Sequence, residues 1–354
     1  MSTNPRIYLD YNATAPLVAA AREAMIAAMG LTGNPSSVHG EGRATRDLVE
    51  TARNRVAALV GRPREQVVFT SGGTEANRLG IERLAATVEA RGGPRLVATE
   101  GTDHPSLAGA VASLVRRGWQ HRGLADAREA GLVAITVVNH ELGTRTEVPA
   151  LGAATLVHLD AVQAAGKLVL GDLVADSIAI SAHKLGGPQG VGALVTSIDA
   201  ADDGIDAGHQ ERGRRPGTEN TLGIVGFGAA AAALDVADWA RVAELGERLE
   251  RGLVALGARI NRGATSIGGT INAAFPGVRG ESIVIALDLA GIAASTGAAC
   301  TSGSIKPSPV LLAIGQTPEQ AREAVRFSLG RPTTAGEVDA VLAVLPAIIA
   351  RARR

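Results

Sequence analysis

The stretch Ser181 to Gly190, SAHKLGGPQG, sets a lysine directly behind the apolar run DSIAI and ahead of glycines that let a ligand or another backbone come close. A solvated lysine ordinarily sits in a charged helix or loop, whereas Lys184 ends a β-like run that carries Ile178 and Ile180. Asp160 ends the preceding β-like run, LVHLD. Taken singly, each has an ordinary use: the lysine as a structural or solvated group, the aspartate as a buried ion-pair partner or cap. Taken together, an amine and a carboxylate at successive strand tips are the pair that pyridoxal phosphate needs. The amine forms a Schiff base, and the carboxylate keeps the pyridine nitrogen protonated so that the ring is an electron sink.

A phosphate also needs donors. TSGGTEAN, Thr70 to Asn77, reads as a strand, a glycine turn and a helix start with Glu75 in its first turn. Amides at a helix N-terminus bind phosphate, Gly72 and Gly73 permit close approach, and Thr74 adds a hydroxyl. Ser181 and His183 flank the lysine and offer a second phosphate contact. His104 stands before Pro105 in TDHPSL and is biased to extended geometry. There it has two readings, an exposed loop histidine or a ring that stacks on the cofactor and handles protons. Cys300 is the only cysteine, and its surroundings, STGAACTSGSIKPS, hold almost no large apolar side chain to bury it. A lone cysteine is most often a small buried hydrophobe; an accessible thiolate in such a loop is what a sulfur carrier requires.

The elements that must position these groups alternate. Apolar runs are followed by Ala-rich helical patterns: QVVFT by EANRLGIERLAATVEA, RLVATE by SLAGAVASLVRRG, and LVAITVV by a short helix before ATLVHLD. This predicts parallel strands covered by helices on both faces, with polar strand tips converging on one crevice. From about Val254 the elements shorten, with AGEVDAVLAVLPAIIARARR as a closing helix. The expected division is a large domain over 15–253 and a small α+β domain formed by 1–14 and 254–354.

The bulk composition narrows the partners. In 354 residues, 35 Lys and Arg balance 35 Asp and Glu, so no global charge favours nucleic acid or an anionic membrane. One cysteine allows neither an intrachain disulfide nor a cysteine cluster for zinc, and no metal site is expected. MSTNPRIYLDYNATAPL carries polar and charged groups where an export signal would be apolar, and NTLGIVGFGAAAAAL is too short for a membrane span. A cytoplasmic protein with a small-molecule partner is expected.

YLDYNATAPL, GNPSSVHGEGR, SGGTEAN, LDAVQAAGKL, SAHKLGGPQGVGAL, ERGRRPGTEN, ACTSGS and VRFSLGR follow one another along essentially the whole chain. In that order they resemble the NifS/IscS-like cysteine desulfurases of the class V aminotransferase family. The resemblance implies a fold-type I pyridoxal-phosphate transferase, an α/β protein with a mainly parallel sheet flanked by helices and a smaller α+β C-terminal domain. By the same resemblance Lys184 is the Schiff-base lysine, Asp160 the partner of the pyridine nitrogen, Gln163 the contact to the phenolic oxygen, and His104 the stacked ring. Phosphate contacts fall on Gly73, Thr74, Ser181 and His183. Thr218 matches a threonine that reaches the neighbouring subunit's phosphate and so implies a homodimer. Arg326 and Asn34 match substrate-binding positions, the arginine taking the substrate carboxylate.

The implied reaction turns L-cysteine into L-alanine and leaves a persulfide on Cys300, supplying sulfur to acceptor or scaffold proteins of iron-sulfur or thio-cofactor assembly. The form ACTSGS resembles the group serving general iron-sulfur assembly. Other class V activities, selenocysteine lyase or aminotransferase, and a low-activity scaffold are the alternatives. Two positions depart from the family pattern. His140 in NHE stands where an asparagine contacts cofactor and substrate, and His209 in AGHQE stands where a glycine is usual. The segment between Glu141 and Asp160 is also short.

Overall fold

The apolar runs become strands. The structure, a computed structural model, describes residues 6–198, 208–297 and 306–353. Its strands are β1 (Ile7–Tyr8), β2 (Val67–Thr70), β3 (Leu96–Thr99), β4 (Gln120–Gly123), β5 (Leu132–Thr136), β6 (Leu156–Asp160), β7 (Ser177–Ser181), β8 (Gly192–Thr196), β9 (Arg259–Asn261), β10 (Thr270–Ala274), β11 (Ile292–Ala293) and β12 (Ala324–Ser328). The chain divides into two units. The larger is Ala15–Val137 with Glu147–Val236, and the smaller is Met1–Thr14, Val138–Thr146 and Ala237–Arg354.

In the larger unit one sheet runs in the order β2-β8-β7-β6-β5-β3-β4. The pairs from β7 to β4 are parallel, and β8 is antiparallel to both β2 and β7. The mainly parallel, helix-flanked sheet expected from the alternation is present. Every residue of β5, β6, β7 and β8 is buried, which is why these strands read as continuous apolar runs rather than alternating ones. Only β4, an edge strand, is exposed throughout. The helices Gly73–Ala90 and Pro105–Arg116 close one core with Ile81, Leu84, Leu107, Val111 and Leu114 against Val97 and Leu132. The uncharged helix Thr221–Ala232 packs at close range: a Cβ on Gly228 would lie 2.5 Å from Ala52 Cα, on the helix Gly40–Val60. Among the described residues no single helix is long and apolar enough to cross a membrane.

Register levels the working ends of the central strands. Thr136 stands opposite Asp160, and Asp160 opposite Ala179, two residues before the end of β7. A single turn of 3₁₀ helix, Ala182–Lys184, then carries the lysine just beyond that tip.

In the smaller unit a three-stranded antiparallel sheet, β12-β10-β9, packs with the helices Trp239–Ala255, Gly280–Leu289 and Ala335–Ala352 around Leu249, Ile283, Phe275, Phe327 and Leu345. β1 pairs in parallel with β11, so the N-terminal segment is part of this unit. The short helix expected after LVAITVV is replaced by a turn. Asn139 Oδ1 accepts from the amides of Glu141 and Leu142, each at 2.9 Å, and Gly143 takes φ +66°. An asparagine side chain that satisfies the next amides stabilises a turn in place of a helix, and the bridge between Val138 and Arg145 closes it.

Candidate active site

Most of the predicted cofactor residues belong to the larger unit. The helix Gly73–Ala90 begins at Gly72, which has φ 156° and gives no side-chain cap. The first-turn amides therefore point outward as anion donors. Gly73 is required by space, since a Cβ there would lie 2.6 Å from Val162 Cγ2. Thr74 is exposed beside it. Glu75 is turned to structural use: burial pushes its carboxyl up, but bonds from Arg215 and Ser71 outweigh that and leave it below its ordinary value.

Asp160 is buried at the tip of β6, where Oδ2 accepts from Asn77 Nδ2 at 2.8 Å and Oδ1 from the Val162 amide at 3.1 Å. Burial pushes its carboxyl up to about 6; Val162, Asn77 and the Lys184 ammonium pull the other way, while Asp103 adds to the rise. His104 is the extended residue that caps the helix Pro105–Arg116, as its place before proline predicts. Burial, and then the charge of Lys184, hold its pKa down to about 4, and the same two causes hold His183 at about 4. Both rings are thus neutral near pH 7. Ser181 is buried at the end of β7, and Gln163 is buried with its Oε1 accepting from Lys167 Nζ at 3.0 Å.

This donor set fits pyridoxal phosphate: uncapped helix amides, hydroxyls and neutral imidazoles for a phosphate, an amine for the aldehyde, and one buried, hydrogen-bonded carboxylate for the pyridine nitrogen. Asn34 and Thr218 are both exposed. Asn34 Oδ1 accepts from the Ser36 amide at 2.9 Å. His209 is exposed ahead of a 3₁₀ segment, Gln210–Gly213.

The smaller unit holds Arg326 and His140. Arg326 is buried on β12; Nη2 donates to Asp10 Oδ1 at 2.7 Å and Nη1 to the His140 carbonyl at 3.0 Å. Its Nε is buried with no partner among the described residues, leaving guanidinium hydrogens for a second carboxylate. The His140 ring sits with Nε2 3.7 Å from Glu141 Oε1. Burial raises the Glu141 carboxyl, against a bond from Ser308 and the charge of Arg326. Cys300 lies outside the described residues.

Three residues escaped the sequence reading: Asn77, Ser106 and His158. For His158 a signal was present. His158 precedes Asp160 by two residues and so shares its face of β6, a polar residue inside an apolar strand.

The aminotransferase class-V family model matches residues 7–341. A cysteine desulfurase of Cereibacter sphaeroides is 38% identical over 377 residues, covering 98% of this chain and 97% of that protein. The cysteine desulfurase IscS of Shewanella woodyi is 36% identical, covering 94% of this chain and 90% of that protein. A solved structure described as a NifS-like protein superposes with a TM-score of 0.88 at 31% identity, over 98% of this chain and 100% of the other.

Proposed function

The chain belongs to the class-V aminotransferase family, and from that premise we propose that it is a pyridoxal-phosphate-dependent L-cysteine desulfurase, making L-alanine and a persulfide on Cys300. The observation that carries this reading is Asp160, a buried carboxylate held by Asn77 and the Val162 amide at the tip of β6, one strand from the tip that bears Lys184. When bound, the cofactor supplies an electron sink that allows the carbon–sulfur bond of cysteine to break.

The chain's own residues do the rest. Lys184 would hold the cofactor covalently and move protons at its amine. Asp160 would keep a proton on the cofactor's pyridine nitrogen, and neutral His104 would stack on its ring and serve as a proton acceptor or donor there. The amides of Gly73 and Thr74, with Ser181 and His183, would hold the cofactor's phosphate, and Gln163 and His140 are the residues that the family resemblance assigns to contact with its ring. Arg326 would take the substrate carboxylate, and Asn34 is the second substrate-binding position that the family resemblance assigns. The Cys300 thiolate attacks the substrate sulfur: a sulfur–sulfur bond forms, the substrate carbon–sulfur bond breaks, and the carbon gains a proton to become alanine.

The active form is a homodimer in which Thr218 of one subunit serves the phosphate of the other, and the exposure of Thr218 suits that use. A cytoplasmic setting accords with a single thiol that must stay reduced. From Cys300 the sulfur passes to acceptor or scaffold proteins of iron-sulfur or thio-cofactor assembly. Incubation of the purified protein with pyridoxal phosphate, L-cysteine and a thiol reductant should release sulfide and alanine in equal amounts. Absence of alanine would overturn the assignment.

A further inference from the structure

From between the helix Gly73–Ala90 and the strands β6 and β7 to the start of the helix Pro105–Arg116 runs a polar line, buried at Ser177, His158 and Asn77 and half-buried at Ser106 and His104, and its hydrogen positions follow from chemistry. His104 Nδ1 accepts from the Ser106 amide at 3.1 Å, so the neutral ring carries its proton on Nε2. The Ser106 hydroxyl, 2.7 Å from the same Nδ1, must then donate to it. That hydroxyl oxygen accepts one hydrogen of Asn77 Nδ2 at 2.8 Å, and the other hydrogen goes to Asp160 Oδ2 at 2.8 Å. Asn77 Oδ1 faces His158 Nε2 at 3.0 Å, which must donate, and His158 Nδ1 accepts from the Ser177 hydroxyl at 2.7 Å. Every bond in the line thus has one direction. A flipped amide would set oxygen against the Asp160 carboxylate. The packing is shaped to the ring, because a Cβ on Gly80, one turn from Asn77, would lie 2.6 Å from His158 Cε1 and Nδ1.

The geometry points to Asn77 as a positioning residue for two groups at once, giving one amide hydrogen to Asp160 and the other, through Ser106, to His104, with His158 setting its orientation. The inference rests on the reading of Asp160 and His104 as cofactor contacts. The charged groups that act on Asp160 are Asp103, ahead of the helix Pro105–Arg116, and Lys184, after β7. His158, fully buried, is held neutral with a pKa of about 3.

The test uses the cofactor-free protein. Two-bond proton–nitrogen spectra near pH 7 should show His104 and His158 as neutral Nε2–H tautomers, assigned with single His→Gln variants. Either ring protonated on Nδ1 instead would overturn the proposal. Binding of pyridoxal phosphate, followed by absorbance between about pH 5 and 8, should have its acid limb moved upward by about one unit in Asn77→Ala, because Asp160 loses a donor that favours its ionised form. His158→Phe should move the limb the same way by less, and Ser106→Ala should leave it in place. A limb that is unchanged in Asn77→Ala, or that Ser106→Ala moves as far, would overturn it. Failure of the wild-type protein to bind pyridoxal phosphate would defeat the reading of the site, and the tautomer measurement would still decide the network.

Discussion

Arg326 Nη2 donates to Asp10 Oδ1 across 2.7 Å, and this ion pair, with the Nη1 bond to the His140 carbonyl, fixes the plane of a buried guanidinium before any substrate arrives. A fork held in this way presents its remaining hydrogens in fixed directions within one plane, which a flexible ammonium cannot do. Replacement by lysine should raise KM for L-cysteine roughly ten- to hundredfold with a smaller change in kcat, as expected for losing a charge-assisted contact of about 1.5 to 3 kcal/mol. Steady-state kinetics would check this, and an unchanged KM would remove Arg326 from the carboxylate site.

Lys184 sits beyond the tip of β7, in the turn Ala182–Lys184. Lys184→Ala should leave a folded protein that binds pyridoxal phosphate reversibly and loses it on gel filtration. Borohydride treatment should fix no cofactor to the chain. Mass spectrometry that finds a reduced covalent adduct in this variant would place the covalent link elsewhere.

Cys300 is the chain's only thiol, so its replacement removes any sulfur carrier the protein has. Cys300→Ser should retain bound cofactor and still show a spectral change with L-cysteine, yet form no protein persulfide and release sulfide at least about a hundredfold more slowly. Sulfide release at the wild-type rate would make the thiol a bystander.

The buried pair Arg53 and Glu211 tests stability apart from chemistry. Glu211 accepts from Arg53 Nη1 at 2.6 Å, Arg53 Nη2 at 3.0 Å and the Phe69 amide at 2.9 Å, while the Arg53 guanidinium carbon lies 4.8 Å from the centre of the Phe69 ring. Removing Glu211 takes away the more buried counter-charge and leaves Arg53 with Glu50 and the Val67 carbonyl, each at 2.9 Å, so Glu211→Ala should cost about 3 kcal/mol, the low end for breaking a buried pair, in urea denaturation of the cofactor-free protein. Adding Arg53→Met should restore part of that loss. A double variant less stable than Glu211→Ala would show that the charge is not what the fold depends on.

The strand tips were legible because fully buried parallel strands leave little polar residue except at their ends: Asp160 after LVHL and Ser181 after SIAI stand out for that reason. The direction of β8 was not, since GALVT is buried at every residue and reads alike parallel or antiparallel. Nor was β4, QHRG, an exposed edge with no apolar signature. The membership of Val138–Thr146 in the smaller unit rests on pairings distant in sequence, such as the Arg145 amide to the Thr265 carbonyl at 2.9 Å. Site residues such as Lys184 and Asp160 are singled out by their own chemistry at strand tips. Asn77 was passed over because its role consists of directing Asp160 and Ser106, a relation that exists only after β6 and the helix Gly73–Ala90 have packed.

Acid should weaken the cofactor-free fold, and the sign follows from the buried groups. His104 and His183 are held at about 4 and His158 at about 3, all below the ordinary imidazole value of 6.5. Between those values and 6.5 the unfolded chain binds protons that the folded chain refuses, so each imidazole removes stability as the pH falls through that window. Asp160 acts in the opposite sense. Its carboxyl, at about 6 against an ordinary 3.8, keeps a proton that the unfolded chain has released, which adds stability on the way down from 6 to 4, and Glu141, also shifted upward, opposes the loss in the same way. Each of the three imidazole shifts is at least as large as that of Asp160, and they begin at higher pH, so the net direction is loss. Tm of the cofactor-free protein should fall steadily from pH 7 to about pH 5. His183→Gln should make that fall shallower by removing one of the three imidazoles without touching the Asn77 network. A Tm that is flat or rises over the same interval would show that the rings are not held neutral by burial.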